Sequence, residues 1–231
     1  MFMDILQATL PKLLTGLQLT LVITLSAFVL GQIVALPLAL AAGATSKLLS
    51  WPARSYIFLV RGSPLMVQLF LIYYGLGSLP EVRGSFLWPI LRDPVNCAVL
   101  AIGLNSAAYM GALVAGALRD IPQGLSEAAK MLGMGKWRTL IHVTLPMLYR
   151  QILPVMGNEL TLVLKGSALA STITVMEMTG VARKAVSQTF APFEVFAIAG
   201  VVYLVVGLLA AWGFGRLEKW LRIPGLGAAK A

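Results

Sequence analysis

Apolar residues run along this chain in blocks too long for a soluble core, and short polar stretches separate them. From Leu13 to Ser46 no residue is charged, and roughly 20 apolar residues let a helix cross a bilayer core. This predicts a first span over about 13–42, with Gly31 and Pro37 tolerated as they are in membrane helices. A basic loop with Lys47 and Arg54 follows, then an amphipathic approach ending in Arg61-Gly62-Ser63-Pro64. The second span is expected over about 56–79, with Pro64 early in a new helix. The third, about 95–118, is uncharged and rich in Gly and Ala, a composition suited to close packing on a neighbouring helix. The fourth, about 140–164, holds Pro146, Pro154, Gly157, Asn158, Glu159 and Thr161; it should be kinked and face protein. The fifth, about 195–215, is clean, and an amphipathic tail, 216–222, follows it. Residues 166–176 are uncharged but too short to cross, so they read as a re-entrant or surface segment leading to a polar loop through Arg183, Lys184 and Gln188.

The pattern therefore predicts an all-α, polytopic membrane protein with about five transmembrane helices. Residues 1–12 form an N-terminal segment, 13–222 the transmembrane domain, and 223–231 a C-terminal tail. One stretch does not fit a bilayer. Residues 119–139 and the start of the fourth span carry Arg119, Asp120, Glu127, Lys130, Lys136 and Arg138, with Gly133 and Gly135 interrupting the helical pattern. Such a segment belongs in water and offers a surface to something else.

Composition agrees. Of the 231 residues 58% are hydrophobic and 12% charged, with a mean hydropathy of +0.85, where soluble domains carry about 25% charged residues. The net charge of +9 does not point to nucleic acid, because the basic residues are scattered at the ends of apolar runs. Placing the N-terminus outside puts 12 of the 18 lysines and arginines inside. Lys12, Arg83, Arg92, Lys165, Arg183 and Lys184 remain outside, the asymmetry that the positive-inside rule produces. The C-terminal tail is then cytoplasmic, as are residues 119–139. Asp4 precedes Lys12 and the first apolar run is too long for a signal peptide, so the first helix is expected to be retained. A single cysteine, Cys97, allows neither an internal disulfide nor a multi-cysteine metal site.

Three motifs carry a resemblance. Glu127-Ala128-Ala129, then Gly133, Leu145 and Pro146, resemble the EAA coupling loop of bacterial binding-protein-dependent ABC importers, with Val143 where that pattern has isoleucine. Arg61-Gly62-Ser63-Pro64-Leu65 through Tyr73-Tyr74-Gly75 is similar to a segment of polar amino-acid permeases. Residues 157–183, GNELTLVLKGSALASTITVMEMTGVAR, are similar to permeases for histidine, lysine, arginine and opines. Together the likeness extends from about Gly16 to Leu221. It implies a type I ABC importer permease in the bacterial inner membrane. It also implies two partner ATPases, a second permease subunit (related or identical), a periplasmic binding protein and an amino-acid substrate. The loop of Glu127, Ala128, Ala129 and Gly133 would dock to an ATPase, with the two alanines allowing close approach. The chain lacks a Gly-x-x-x-x-Gly-Lys phosphate loop, so it cannot be the motor itself; no cofactor is expected in this chain, and ATP and Mg would be bound by the partner ATPases.

An ionisable residue within a span is costly and is a functional candidate by default. Glu159 is that residue; its carboxylate would pair with a substrate's ammonium or guanidinium, or else form a structural bond to Lys165 or another helix. Asn158 and Thr161 lie beside it as a polar stripe with Lys165. Asn105 and Ser106, midway along the third span, and Gln68 in the second could bind substrate or hold helices together. Arg61 reads as an anchor for its helix end. An intramembrane hydrolase is excluded by inventory, since His142 is the one histidine and no serine has a base beside it. A stand-alone secondary transporter or channel is the competing reading, weakened by the lack of a visible inverted repeat.

Overall fold

The computed structural model describes residues 2–221 and consists of packed helices. Arg222 and the tail at 223–231, with Lys230, lie outside the described residues. Helix α1 spans Phe2–Ala42 without interruption, so residues 1–12 are not a separate segment: from Phe2 on they are the first turns of the first membrane helix. Its C-terminal carbonyls would be left without partners, and Arg54 Nε, from α2 (Lys47–Gly62), donates to the carbonyl of Ala42 at 2.8 Å.

Helix α6 (Pro94–Asp120) is the centre of the molecule. Asp93 caps its start, accepting a 2.8 Å bond from Val95 N, and Pro94 occupies the first turn, where its missing N–H costs nothing. In its most apolar stretch 61% of residues are buried, against 17% for the last helix. It packs chiefly on α1, and glycines make that approach possible. A Cβ on Gly103 would lie 3.0 Å from the Ala27 carbonyl oxygen, and one on Gly31 would lie 2.8 Å from Ser106 Oγ. The small-residue packing expected of the third span is therefore real, with α1 as the partner.

The second span is not one straight helix. Proline restricts the residue before it to extended backbone, and Ser63 is extended (φ −112°, ψ 146°). α2 stops at Gly62 and α3 (Leu65–Phe70) starts beyond Pro64, continuing as a π-helical turn over Leu71–Leu76. The two arms meet at 108°. Two short helices, α4 (Pro80–Arg83) and α5 (Trp88–Leu91), fill the following loop.

After α6 come α7 (Gln123–Met131) and α8 (Lys136–Thr139), then a π-helical turn, Leu140–Thr144, that runs into α9 (Leu145–Ser167). A 3₁₀ turn over Ala168–Ile173 ends at Thr174, whose φ of +73° is left-handed. The chain then starts α10 (Met178–Thr189). The expected polar loop through Arg183, Lys184 and Gln188 is thus a helix. Charge on its exposed face concealed a buried face of Met178, Ala182 and Ala185. The last helix, α11 (Pro192–Leu221), takes in residues 216–221 of the stretch expected to be a separate amphipathic tail. Among the described residues three helices (α1, α6 and α11) are long and apolar enough on their own to cross a membrane, and up to five spans result if each bent pair counts as one.

Candidate functional site: a polar cavity and a water-facing loop

α6, α9 and the start of α3 enclose a cavity of about 260 Å³. Leu65, Ile102 and Leu162 give it apolar walls, and Asn105, Ser106, Tyr109 and Glu159 give it polar ones. Three of the sequence candidates, two of them 53 and 54 residues before Glu159, are brought together here. Asn105 and Ser106 sit midway along the central helix α6; Glu159 faces them from α9. Glu159 is only 6% exposed. The Ser106 hydroxyl approaches its carboxyl, yet Ser106 Oγ makes no hydrogen bond of good geometry. No basic side chain pairs with Glu159 among the described residues, and Lys165 is exposed. An ionised carboxylate buried without a basic partner costs several kcal/mol, so a cation entering this cavity would be stabilised beside Glu159.

Asn158 and Thr161 are not part of it. Successive helical residues are turned by about 100°, and Asn158 is exposed while Glu159 is buried. Thr161 Oγ1 bonds back to the Gly157 carbonyl at 3.2 Å, and its methyl lies against Gly207 of α11. Neighbours in sequence point to different surroundings.

Gln68 has a different task from the one expected. Its Nε2 lies 2.8 Å from the Val60 carbonyl, 3.1 Å from the Ser63 carbonyl and 2.9 Å from Ser63 Oγ. The break between α2 and α3 leaves backbone groups without helical partners, and this amide satisfies them. Its Oε1 accepts from Asn105 Nδ2 at 3.1 Å. Gln68 staples the bend and orients Asn105 without lining the cavity.

The buried carboxylate that sequence reasoning missed is Glu177, which is 0% exposed. It caps α10, accepting from Thr179 N and Gly180 N at 2.9 Å each, from Tyr203 Oη at 2.9 Å and from Thr20 Oγ1 at 3.3 Å. Thr20 also accepts from Met178 N at 3.0 Å. This joins α1, α10 and α11 around one carboxylate, fully satisfied and closed to substrate. Glutamate is outside the group of preferred N-caps, so the local signal was weak.

The water-facing loop has its own geometry. α7 ends at Met131, and Gly133, just past the cap, has a φ of +74°, a conformation that disfavours any side chain. Met134 N bonds the Ala129 carbonyl at 3.0 Å and Gly133 N the Lys130 carbonyl at 2.9 Å, the paired bonds of a Schellman stop. Glu127 and Ala128 are exposed, but Ala129 is buried within its own chain. Its small size serves the fold of the loop, not an outside surface. Exposed instead are Met131 (90%), Leu132 (81%) and Trp137 (76%), an apolar patch on a polar loop. Leu145 and Pro146 begin α9 just beyond the π-helical turn. Among the described residues no three His, Cys, Asp or Glu side chains gather as a metal site would need.

Residues 35–223 match the family described as binding-protein-dependent transport system inner membrane component. The chain belongs to that family. It is 44% identical over 216 residues to the octopine transport system permease protein OccM of Rhizobium radiobacter, covering 94% of this chain and 88% of that one. It is 37% identical to the histidine/lysine/arginine/ornithine transport system permease protein HisM of Escherichia coli (strain K12), covering 90% and 88%. Among solved structures, one titled "Crystal structure of an amino acid ABC transporter with histidines" matches with a TM-score of 0.81 and 31% identity, over 95% of this chain and 98% of that one. The chain is accordingly a multi-pass inner-membrane permease subunit of an ABC importer, and nothing in these likenesses favours a stand-alone transporter or channel.

Proposed function

We propose that this permease carries a basic amino acid or an opine, and that Glu159 receives the substrate's cation in the cavity it shares with Asn105 and Ser106. The observation that carries this reading is a buried carboxylate with no basic partner, in a cavity of about 260 Å³, a size suited to part of an amino acid. The names of the similar permeases, for octopine and for histidine, lysine, arginine and ornithine, agree with a cationic or guanidino cargo. Ser106 Oγ, buried beside the Glu159 carboxyl without a well-aligned hydrogen bond, is available to an ammonium or a carboxylate oxygen.

The exposed loop of α7 and α8 is the docking element for a partner ATPase. Leu132 and Trp137 would enter an apolar groove, while Glu127 pairs with a basic group. Two ATPases supply ATP and Mg, a second permease subunit (related or identical) completes the path, and a periplasmic binding protein delivers the cargo. The N-terminus lies outside and α7 and α8 lie in the cytoplasm, as the charge asymmetry favours.

Uptake into proteoliposomes by the assembled complex tests the site. Glu159→Gln should cut uptake of a cationic substrate at least tenfold while ATPase association and protein yield stay normal. Unchanged uptake would remove Glu159 from the path.

A further inference from the structure

An amino acid brings a carboxylate as well as a cation into the cavity. Glu159 answers the cation, but no wall of the cavity carries a positive charge. One cation stands directly behind a wall. The Arg61 Cζ lies 5.3 Å from the centroid of the Tyr109 ring, and Tyr109 lines the cavity. Tyr109 Oη also donates to the Arg61 carbonyl at 3.4 Å, so the ring is held to both ends of that residue. Tyr109 follows Asn105 by four positions, which places both on one face of α6.

A guanidinium's five N–H donors lie in its plane and point outward, in a fork that matches a carboxylate. No acidic side chain takes that fork among the described residues. Arg61 occupies the last turn of α2, where the helix end favours a cation. That end is pinned by the Gln68 amide, which also holds Asn105. One side chain therefore sets the position of both the helix end and the cavity wall.

We infer that Arg61, packed against Tyr109 of the cavity wall, binds the carboxylate of the transported amino acid, so that Glu159 and Arg61 together read a zwitterion. This rests on the cavity being the substrate site. It makes Arg61 a specificity residue, not only an anchor for the end of α2.

The test uses the whole permease–ATPase complex in nanodiscs, without binding protein, and measures direct binding of arginine and of octopine against their carboxylate methyl esters. The unaltered protein should prefer the free acids by at least tenfold. Arg61→Gln should weaken acid binding to the level of the ester and leave ester binding unchanged. Arg61→Lys should retain part of the preference. Tyr109→Phe should keep the preference and Tyr109→Leu should lose most of it. Equal losses for acid and ester in Arg61→Gln, or no loss for either, would overturn the inference. Glu159→Gln should weaken acid and ester alike; if it affects neither, the cavity is not the substrate site and the inference falls with it.

Discussion

Tyr203 on α11 donates a 2.9 Å hydrogen bond to the Glu177 carboxylate, and Thr20 on α1 contributes another at 3.3 Å. The buried charge at the start of α10 is thus held by groups 157 residues before it and 26 after it. Tyr203→Phe removes one bond and should cost roughly 1.5–3 kcal/mol, the range for a hydrogen bond to a charged group. Glu177→Ala, which leaves the Thr179 and Gly180 N–H groups without their acceptor, should cost more. Thermal loss of the monodisperse peak in size-exclusion chromatography of the detergent-solubilised complex measures both. Equal stability of the Phe variant and the unaltered protein would count against the hub.

Gly180 and Gly213 make a matched pair. A Cβ on Gly180 would stand 2.5 Å from the Val175 carbonyl oxygen, while one on Gly213 would meet nothing within 4 Å. Gly180→Ala should destabilise by about 1–3 kcal/mol, the range for overpacking. Gly213→Ala, in mid-helix, should be neutral or stabilise by up to about 1 kcal/mol. The same thermal assay distinguishes them, and the order reversed would contradict the packing described.

The loop of α7 and α8 separates conformation from contact. Gly133→Val forces a β-branched side chain into a left-handed position, at a cost of about 1–2 kcal/mol, whereas Gly133→Asn should be tolerated. Leu132→Asp and Trp137→Asp keep the backbone but remove the apolar surface. Both should insert normally and lose most co-purifying ATPase in a pull-down from membranes. Normal ATPase recovery from the double variant would place the docking surface elsewhere.

Gln68→Leu is close in size but cannot satisfy the Val60 and Ser63 carbonyls. It should lower stability by roughly 1–3 kcal/mol for the unsatisfied groups and loosen Asn105. Gln68→Glu keeps an acceptor for Asn105 and loses the donors, so it isolates the bend from the cavity. A larger transport defect in Leu than in Glu, at matched protein level, is the expected result.

Much of this was readable along the chain because it is local. Gly133 is required where α7 must stop, and the Glu127-Ala128-Ala129 spacing marks the helix before it. Glu159 is conspicuous because a carboxylate within an apolar run has few harmless explanations. Ser63-Pro64 lies where the bend falls, though not its 108°.

What the sequence by itself determined is the class of molecule: apolar runs long enough to cross a bilayer, a polar loop between them, and one charge that needed a reason. Which polar residues meet was decided only by tertiary structure. Asn158 and Glu159 are adjacent in the chain yet face different ways, because a helix turns by about 100° per residue. Gln68 and Asn105 are 37 residues apart and bonded, and Glu177 collects its partners from both ends of the protein. A hydrogen bond depends on where helices cross, and the crossing is set by glycines and small side chains on facing helices.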